Sequence, residues 1–514
     1  MPPQFATDDN PGSEWDLRRV LDVWRQHRGQ LLESRHPVDP QAELAGVYRH
    51  IGAGGTVPRP TRIGPAMIFS RLKGYEDGPV SRVLVGAMAS RERVGMALDC
   101  VPQRLTRRLG EAVLGALPPV VVEDGKVPCQ EQVFHADDDG FDLRALLPTP
   151  TNTPDDAGPF LCLGLVLGSH PDDPDNSDVT IHRLCVQARD ELSIFFAPGR
   201  HIDVYRQAAE RTGRPLPVSI SMGLDPAIYV GSCFEAPTTP YGFDELGVAG
   251  ALRGAGVQLA RCVSIDQYAI ARAEIVIEGE ILPERRMRED QNSRTGYAMP
   301  EFPGYNGEAN PSLPVIRVRA VTMRRDAILQ TLVGPGEEHT NLAGIPTESS
   351  IFNAVERSLP GLVGNVYAHT AGGGKLLAVL QVRKKCAGDE GRERQAALIA
   401  LGVCRELKNV ILVDDDVDIF DSDDVLWAMQ TRYQGDVDTI FIPRVTGHVL
   451  DPSQTPEYNA CLPARGTTCK TIFDCTVPWH MRERFRRAPF AEADPVPFAP
   501  ELFGREVDSG EAWS

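Results

Sequence analysis

The apolar residues change rhythm twice along this chain of 514 residues, and no single architecture accommodates all three patterns. From 120 to about 332 they come in short strand-like runs, at 161–167, 179–187, 192–196, 218–222, 273–277 and 314–323, broken by Pro, Gly and Asp clusters. Runs of that length between turn residues predict a β-rich domain, with one helix near 203–212. From about 347 the order alternates: helix 349–359, strand 376–382, helix 391–407, strand 410–413, helix 422–429, strand 439–442. That alternation predicts a parallel α/β sheet, whose ligand crevice lies beyond the carboxyl ends of its strands. The first part is mixed. Ser13-Glu14-Trp15-Asp16 resembles a capping box ahead of a stripe formed by Trp15, Leu17, Val20, Leu21 and Trp24, and a second helix is expected over 39–50. The expected class is a mixed α/β and α+β multidomain protein.

Charge narrows the function. Fifty-three Lys and Arg against 71 Asp and Glu leave a net charge of −18, a poor match to a nucleic-acid backbone, while 42% hydrophobic residues exclude wholesale disorder. Eleven dispersed cysteines without a Cys-x-x-Cys pair read as reduced thiols. With no signal-like N-terminus and no apolar run near the ~20 residues of a membrane helix, the expected setting is the cytoplasm, with no nucleic-acid or membrane partner.

The usual cofactor fingerprints are absent. Gly372-Gly373-Gly374-Lys375 resembles part of a phosphate loop, but His369 and Leu376 stand where that motif needs Gly and Ser or Thr. There is no His-Glu-x-x-His, no Gly-x-Ser-x-Gly and no Gly-x-Gly-x-x-Gly between a strand and a helix. The chemistry must instead sit in polar, Gly- and Pro-rich segments at 178–183 with 198–201, 294–305, 334–340, and 448–453 with 469–474. The long stretch 282–314 is too rich in such residues to be a passive connector.

These segments carry the motifs MPEFPGY, GPGEEH, IPTESSI, AHTAGGGK, VDDDVDIFDSDDVLWAMQTR and CKTIFDCTVP. Together they resemble the UbiD family of prenylated-flavin-dependent decarboxylases, from about residue 15 to about 505, and most closely its hydroxybenzoate branch. The resemblance implies an N-terminal α/β region (1–118), a split β-barrel domain binding prenylated FMN (119–334) and a C-terminal α/β oligomerisation domain (335–514). It implies a manganese or other divalent cation held by Asp178, His201 and Glu245, with potassium nearby, and a flavin contacted by Thr180, Ile181, His182, Arg183, Arg200, Ser232 and Cys233. Lys470 matches the lysine that pairs with the flavin phosphate. Arg183 and Glu301 match the catalytic arginine and proton-donating glutamate, while the family's first glutamate falls at Gly296. Lys375, His339 and His448 match substrate-facing positions of the hydroxybenzoate branch.

The activity so implied is non-oxidative, reversible decarboxylation of a catechol acid such as protocatechuate or gallate, by a dimer or hexamer charged by a separate flavin prenyltransferase. Two alternatives stand beside it: the same enzyme type acting on a heteroaromatic or acrylic acid, and a cofactor-binding or assembly protein without turnover. Without the resemblance, Glu301 reads as a solvated loop carboxylate and His201 as structural. His339 reads as an ion-pair partner of Glu337 or Glu338, His448 as a turn former, and Lys375 as an exposed lysine on a mobile loop. The acidic run 414–424 reads as a helix start rather than a metal site.

Overall fold

The computed structural model describes residues 15–122, 127–197 and 199–503. The first helix, Leu17–Arg25, buries Leu17, Val20, Leu21 and Trp24 as its stripe requires. Its N-cap is Asp16, which accepts the Arg19 N–H, so the helix starts at the end of the expected box; Ser13 and Glu14 lie outside the described residues. The second helix is Glu43–Ile51. Both flank a four-stranded sheet ordered Leu31–Ser34, Ala66–Phe69, Arg82–Val85 and Ile328–Thr331, so the chain returns from the β-rich middle to complete the N-terminal sheet.

In the middle, six antiparallel strands pair in the order Ile275–Met287, Leu216–Met222, Phe160–His170, Asp173–Val186, Glu191–Ile194 and Leu313–Met323. The last pairs back onto the first and closes a ring. Closure explains the continuous apolar run in Phe160–His170: Leu163, Leu165 and Leu167 pack into one core and Val166 into another, so both faces are covered. The stretch 282–314 is not one loop. The strand runs on to Met287, and a hairpin of Tyr297–Pro300 and Asn306–Glu308 carries Glu301 in its turn.

The C-terminal sheet is ordered Val363–Ala368, Leu377–Val382, Asn409–Asp414, Thr467–Cys475 and Thr439–Thr446. Its inner pairings are parallel but both outer ones are antiparallel, which corrects the expected all-parallel sheet. For the first of the two outer pairings the reason is chain length. Only residues 369–376 join the first two strands, enough for a hairpin and too few for a crossover. The leading helix also differs, running Glu337–Ser358 rather than from 349, with Pro346 inside it. A proline normally ends a helix reading; here the helix continues through it, and Ile345, Pro346 and Ile351 are buried. Among the described residues no helix is long and apolar enough to cross a membrane, and all eleven cysteines are free.

Candidate active site

A cavity of about 420 Å³ opens between the strand ring and the C-terminal domain. Eleven of the expected residues line it: Thr180, Ile181, His182 and Arg183 from one ring strand, Arg200, Ser232, Cys233, Glu301, His339, Lys375 and His448. The segments converge for local reasons. Glu301 sits in a tight turn whose Gly304 has φ +91° and packs against Thr56, which donates to the Phe302 carbonyl at 2.6 Å. Lys375 follows Gly373 and Gly374, both left-handed; a Cβ on Gly374 would press into the Thr340 carbonyl of the long helix. The Gly-rich turn is thus packed between the hairpin and that helix rather than free in solvent.

Arg183 stacks on the Phe195 ring, 4.3 Å from its centroid, and is held between two acids. Nη2 donates to Glu289 Oε2 at 3.1 Å, with Nε at ion-pair distance, 2.9 Å, from Oε1, and Nη1 donates to Glu301. Burial, and then the charge of Glu289, keep the Glu301 pKa above the ordinary carboxylate value against the pull of Arg183. Elsewhere in the lining Lys375 Nζ lies 2.5 Å from Glu406 and 3.5 Å from Glu235, and Glu235 accepts from Arg200 at 2.6 Å. Burial opposes the lysine's charge, but the two carboxylates outweigh it and hold its pKa above the ordinary value.

The two imidazoles are fixed in opposite tautomers. His339 Nδ1 lies 2.6 Å from the Gly334 carbonyl, which can only accept, so Nδ1 carries the proton and Nε2 keeps its lone pair. His448 Nδ1 accepts the Leu450 N–H at 3.1 Å, so its proton is on Nε2, 3.6 Å from Glu406. Burial lowers both pKa values, that of His448 to about 4, leaving a neutral acceptor and a neutral donor near neutral pH. Phe302 packs edge-on to both rings. His339 pairs with neither acidic neighbour: Glu338 accepts from the backbone of Gly86 and Met88, and Glu337 from Thr370.

Asp178, His201 and Glu245 lie together just outside the cavity wall. Asp178 is two residues before Thr180 on the same strand face and 3.2 Å from His201 Nδ1. Glu245 is buried with Oε2 lacking a hydrogen-bond partner; burial and the charge of Asp178 push its pKa up to about 9. As they stand the three do not form a closed ligand cage, and among the described residues no three such side chains do. Pro198, in the expected segment before His201, lies outside the described residues.

Lys470 is a correction. It shares a strand face with Ile472, which packs into the C-terminal core, and its Nζ donates to the carbonyls of Leu401 and Arg405, closing the end of the helix Arg392–Val403. It does not line the cavity; the cations that do are Arg183, Arg200, Lys375 and Arg405. The acidic run behaves as expected: Asp421 caps the helix Ser422–Thr431, and Asp414 and Asp416 grip Arg432. Glu289, Glu235 and Glu406 were not among the expected residues. Nothing local marks them, because each is defined by a partner distant in sequence, 106 residues away for Glu289 and Arg183.

The chain matches, in order, family models described as the N-terminal domain (24–113), the Rift-related domain (120–337) and the C-terminal domain (340–475) of 3-octaprenyl-4-hydroxybenzoate carboxy-lyase. It is 51% identical to the gallate decarboxylase of Lactiplantibacillus plantarum over 93% of this chain and 97% of that one. The apo structure of a 3,4-dihydroxybenzoic acid decarboxylase from Enterobacter cloacae superposes with TM-score 0.91 at 66% identity, covering 95% of this chain and 99% of that one. The UbiD-class enzyme HmfF from Pelotomaculum thermopropionicum, in complex with FMN, superposes with TM-score 0.81 at 31% identity, covering 95% and 100%. Three successive domain models, a full-length relative and matching folds lead to one conclusion: the chain belongs to the UbiD family of carboxy-lyases.

Proposed function

We propose that this protein catalyses the non-oxidative, reversible decarboxylation of a catechol carboxylic acid such as protocatechuate or gallate. The observation that carries the reading is the pair of neutral imidazoles, one a hydrogen-bond acceptor and one a donor, in a cavity that also holds Arg183 and Glu301. Adjacent phenolic oxygens match that pair: one hydroxyl gives its hydrogen to His339 Nε2, and the neighbouring oxygen accepts from His448 Nε2. Drawing the phenolic proton toward His339 makes the ring more electron-rich at the carbon bearing the carboxylate. Lys375 attracts the anionic acid, and Glu301 holds the proton that replaces carbon dioxide, with Arg183 fixing its orientation. Apolar walls such as Leu332 and Leu342 keep water from that proton.

The cofactor proposed is prenylated FMN, which when bound supplies an electrophilic centre to take up the ring's electrons as carbon dioxide leaves. The closed strand ring is assigned as the split β-barrel that holds it, with domains at 1–118, 119–334 and 335–514. His182 fits a contact to the flavin: its Nδ1 is bonded to the Phe195 carbonyl and its buried Nε2 has no partner. Ser232 and Cys233 are assigned to the same group, and Arg200 to its phosphate. Asp178, His201 and Glu245 fit a divalent cation such as manganese, because an orphaned carboxylate oxygen beside a second carboxylate and an imidazole is an oxygen and nitrogen donor set. A potassium ion nearby, a dimer or hexamer joined through the C-terminal domain, a separate flavin prenyltransferase and a cytoplasmic setting complete the proposal. The test is to co-express the chain with a flavin prenyltransferase and follow carbon dioxide release from dihydroxy-, monohydroxy-, heteroaromatic and acrylic acids. Release confined to the last two, or none from flavin-loaded protein, contradicts the proposal.

A further inference from the structure

Glu406, in the cavity lining, has one carboxylate oxygen committed and one open. Its Oε2 takes Lys375 Nζ at 2.5 Å, while its Oε1 accepts no hydrogen bond from the described residues and lies 3.6 Å from His448 Nε2. Burial favours the neutral acid, but the charge of Lys375 outweighs it and holds the carboxyl below its ordinary pKa. Glu406 is therefore ionised at neutral pH and can only accept.

The two segments that place this oxygen beside His448 are fastened together. Glu406 lies between the helix Arg392–Val403 and the strand Asn409–Asp414, and His448 follows the strand Thr439–Thr446. Lys470 Nζ holds the Arg405 carbonyl at 2.8 Å, Lys408 Nζ reaches across to Asp451 and Ser453, both at 2.8 Å, and the His448 N–H donates to Gln454 at 2.9 Å. A ring oxygen that accepts the Nε2–H of His448 thus sits beside Glu406 Oε1 as well. A hydroxyl satisfies both groups, accepting from His448 and giving its own hydrogen to Glu406. An ether oxygen or a fluorine has no hydrogen to give, so it and the carboxylate oxygen face each other unpaired.

We infer that Glu406 is a specificity-determining residue that requires the second ring oxygen to be a free hydroxyl, so that the enzyme takes catechol acids and rejects their 3-O-methyl ethers. The inference rests on the reading of the cavity as a hydroxybenzoate site, with His339 at the 4-hydroxyl and His448 at the 3-position.

The experiment measures kcat/KM for carbon dioxide release by flavin-loaded wild type, Glu406→Gln and Glu406→Asp on 3,4-dihydroxybenzoic, 4-hydroxy-3-methoxybenzoic and 3-fluoro-4-hydroxybenzoic acids. Fluorine is the sharper probe, being close to hydroxyl in size without its hydrogen. The intrinsic reactivity of each acid is the same in all three proteins, so the change in preference from one protein to another isolates the contact at 406. Wild type is expected to prefer the dihydroxylated acid over each of the others by at least about a hundredfold. In Glu406→Gln the amide oxygen is taken by Lys375 and the NH2 is left toward the ring, a donor that suits ether and fluorine, so both preferences fall by at least about tenfold. Glu406→Asp draws the charge back by one methylene; its preferences fall between those of the other two proteins, which carries the test if the Gln variant does not fold. Preferences unmoved in Glu406→Gln, or in Glu406→Asp where that variant alone folds, overturn the inference and leave the activity intact, as does a wild type that takes the methoxy acid as readily as the dihydroxylated one. No release from any of the three acids by flavin-loaded wild type defeats the functional reading instead.

Discussion

His448 makes the protein acid-sensitive in a window set by its surroundings. The imidazole packs against Phe302 with ring centroids 4.7 Å apart, and burial pushes its pKa down to about 4 even though Glu406 lies 3.6 Å from Nε2. In the unfolded chain it titrates near 6.5. As pH falls through 6.5 the unfolded state takes up a proton that the folded state refuses until about pH 4. Stability from this group is therefore complete above about 6.5 and is lost on acidification, by about 2 kcal/mol at pH 5 and about 3 kcal/mol at pH 4. His448→Asn isolates the effect, because the amide oxygen can still accept the Leu450 N–H while the titrating group is gone. Urea unfolding of cofactor-free protein, followed by circular dichroism from pH 4.5 to 7.5, is expected to show wild type losing stability more steeply than the variant, by about 2 kcal/mol at pH 5. Superimposable pH dependences would refute the assignment of His448 as a neutral, buried imidazole.

Three further outcomes follow from the same geometry. Lys375→Met leaves the half-buried Glu406 without this cation and Glu235 with Arg200 alone, which costs about 1–3 kcal/mol in urea unfolding, and adding Glu406→Gln recovers part of it. His339→Leu and His448→Leu each leave a phenolic oxygen without a partner, so kcat/KM on a dihydroxylated acid falls by about 5–150-fold, with a much smaller fall on acids whose hydroxyl does not meet the changed residue. Glu245→Gln, purified from cells supplying the prenylated flavin, is expected to carry less than about a tenth of the wild-type manganese by elemental analysis, since it removes an anionic ligand from the Asp178, His201 and Glu245 set.

The succession of strands along the chain was legible from local pattern, whereas the cavity-lining positions were expected through the motifs that carry the family resemblance. Strand runs such as 160–170 announce themselves by continuous apolar residues, and the Gly- and Pro-rich turns around Glu301 and Lys375 mark where backbone must bend sharply. What stayed hidden depends on contacts between distant segments. The expectation for Lys470 failed on a single strand face, since one residue of register decides whether a side chain meets a cavity or a helix end. Pro346 concealed the first three turns of the long helix, whose buried face outweighs the hydrogen bond a proline cannot make. Glu289 carried no signal at all until Arg183, a hundred residues earlier, was folded against it.

The central claim is that two oppositely polarised imidazoles select adjacent ring hydroxyls, and one comparison tests it most directly. Flavin-loaded wild-type enzyme is given 3,4-dihydroxybenzoic acid or 4-hydroxybenzoic acid, which differ by a single hydroxyl, and kcat/KM for carbon dioxide release is measured for each. The account predicts a preference for the dihydroxylated acid of at least about tenfold, the equivalent of one buried imidazole losing its partner. Equal values, or a preference for the monohydroxylated acid, would contradict it.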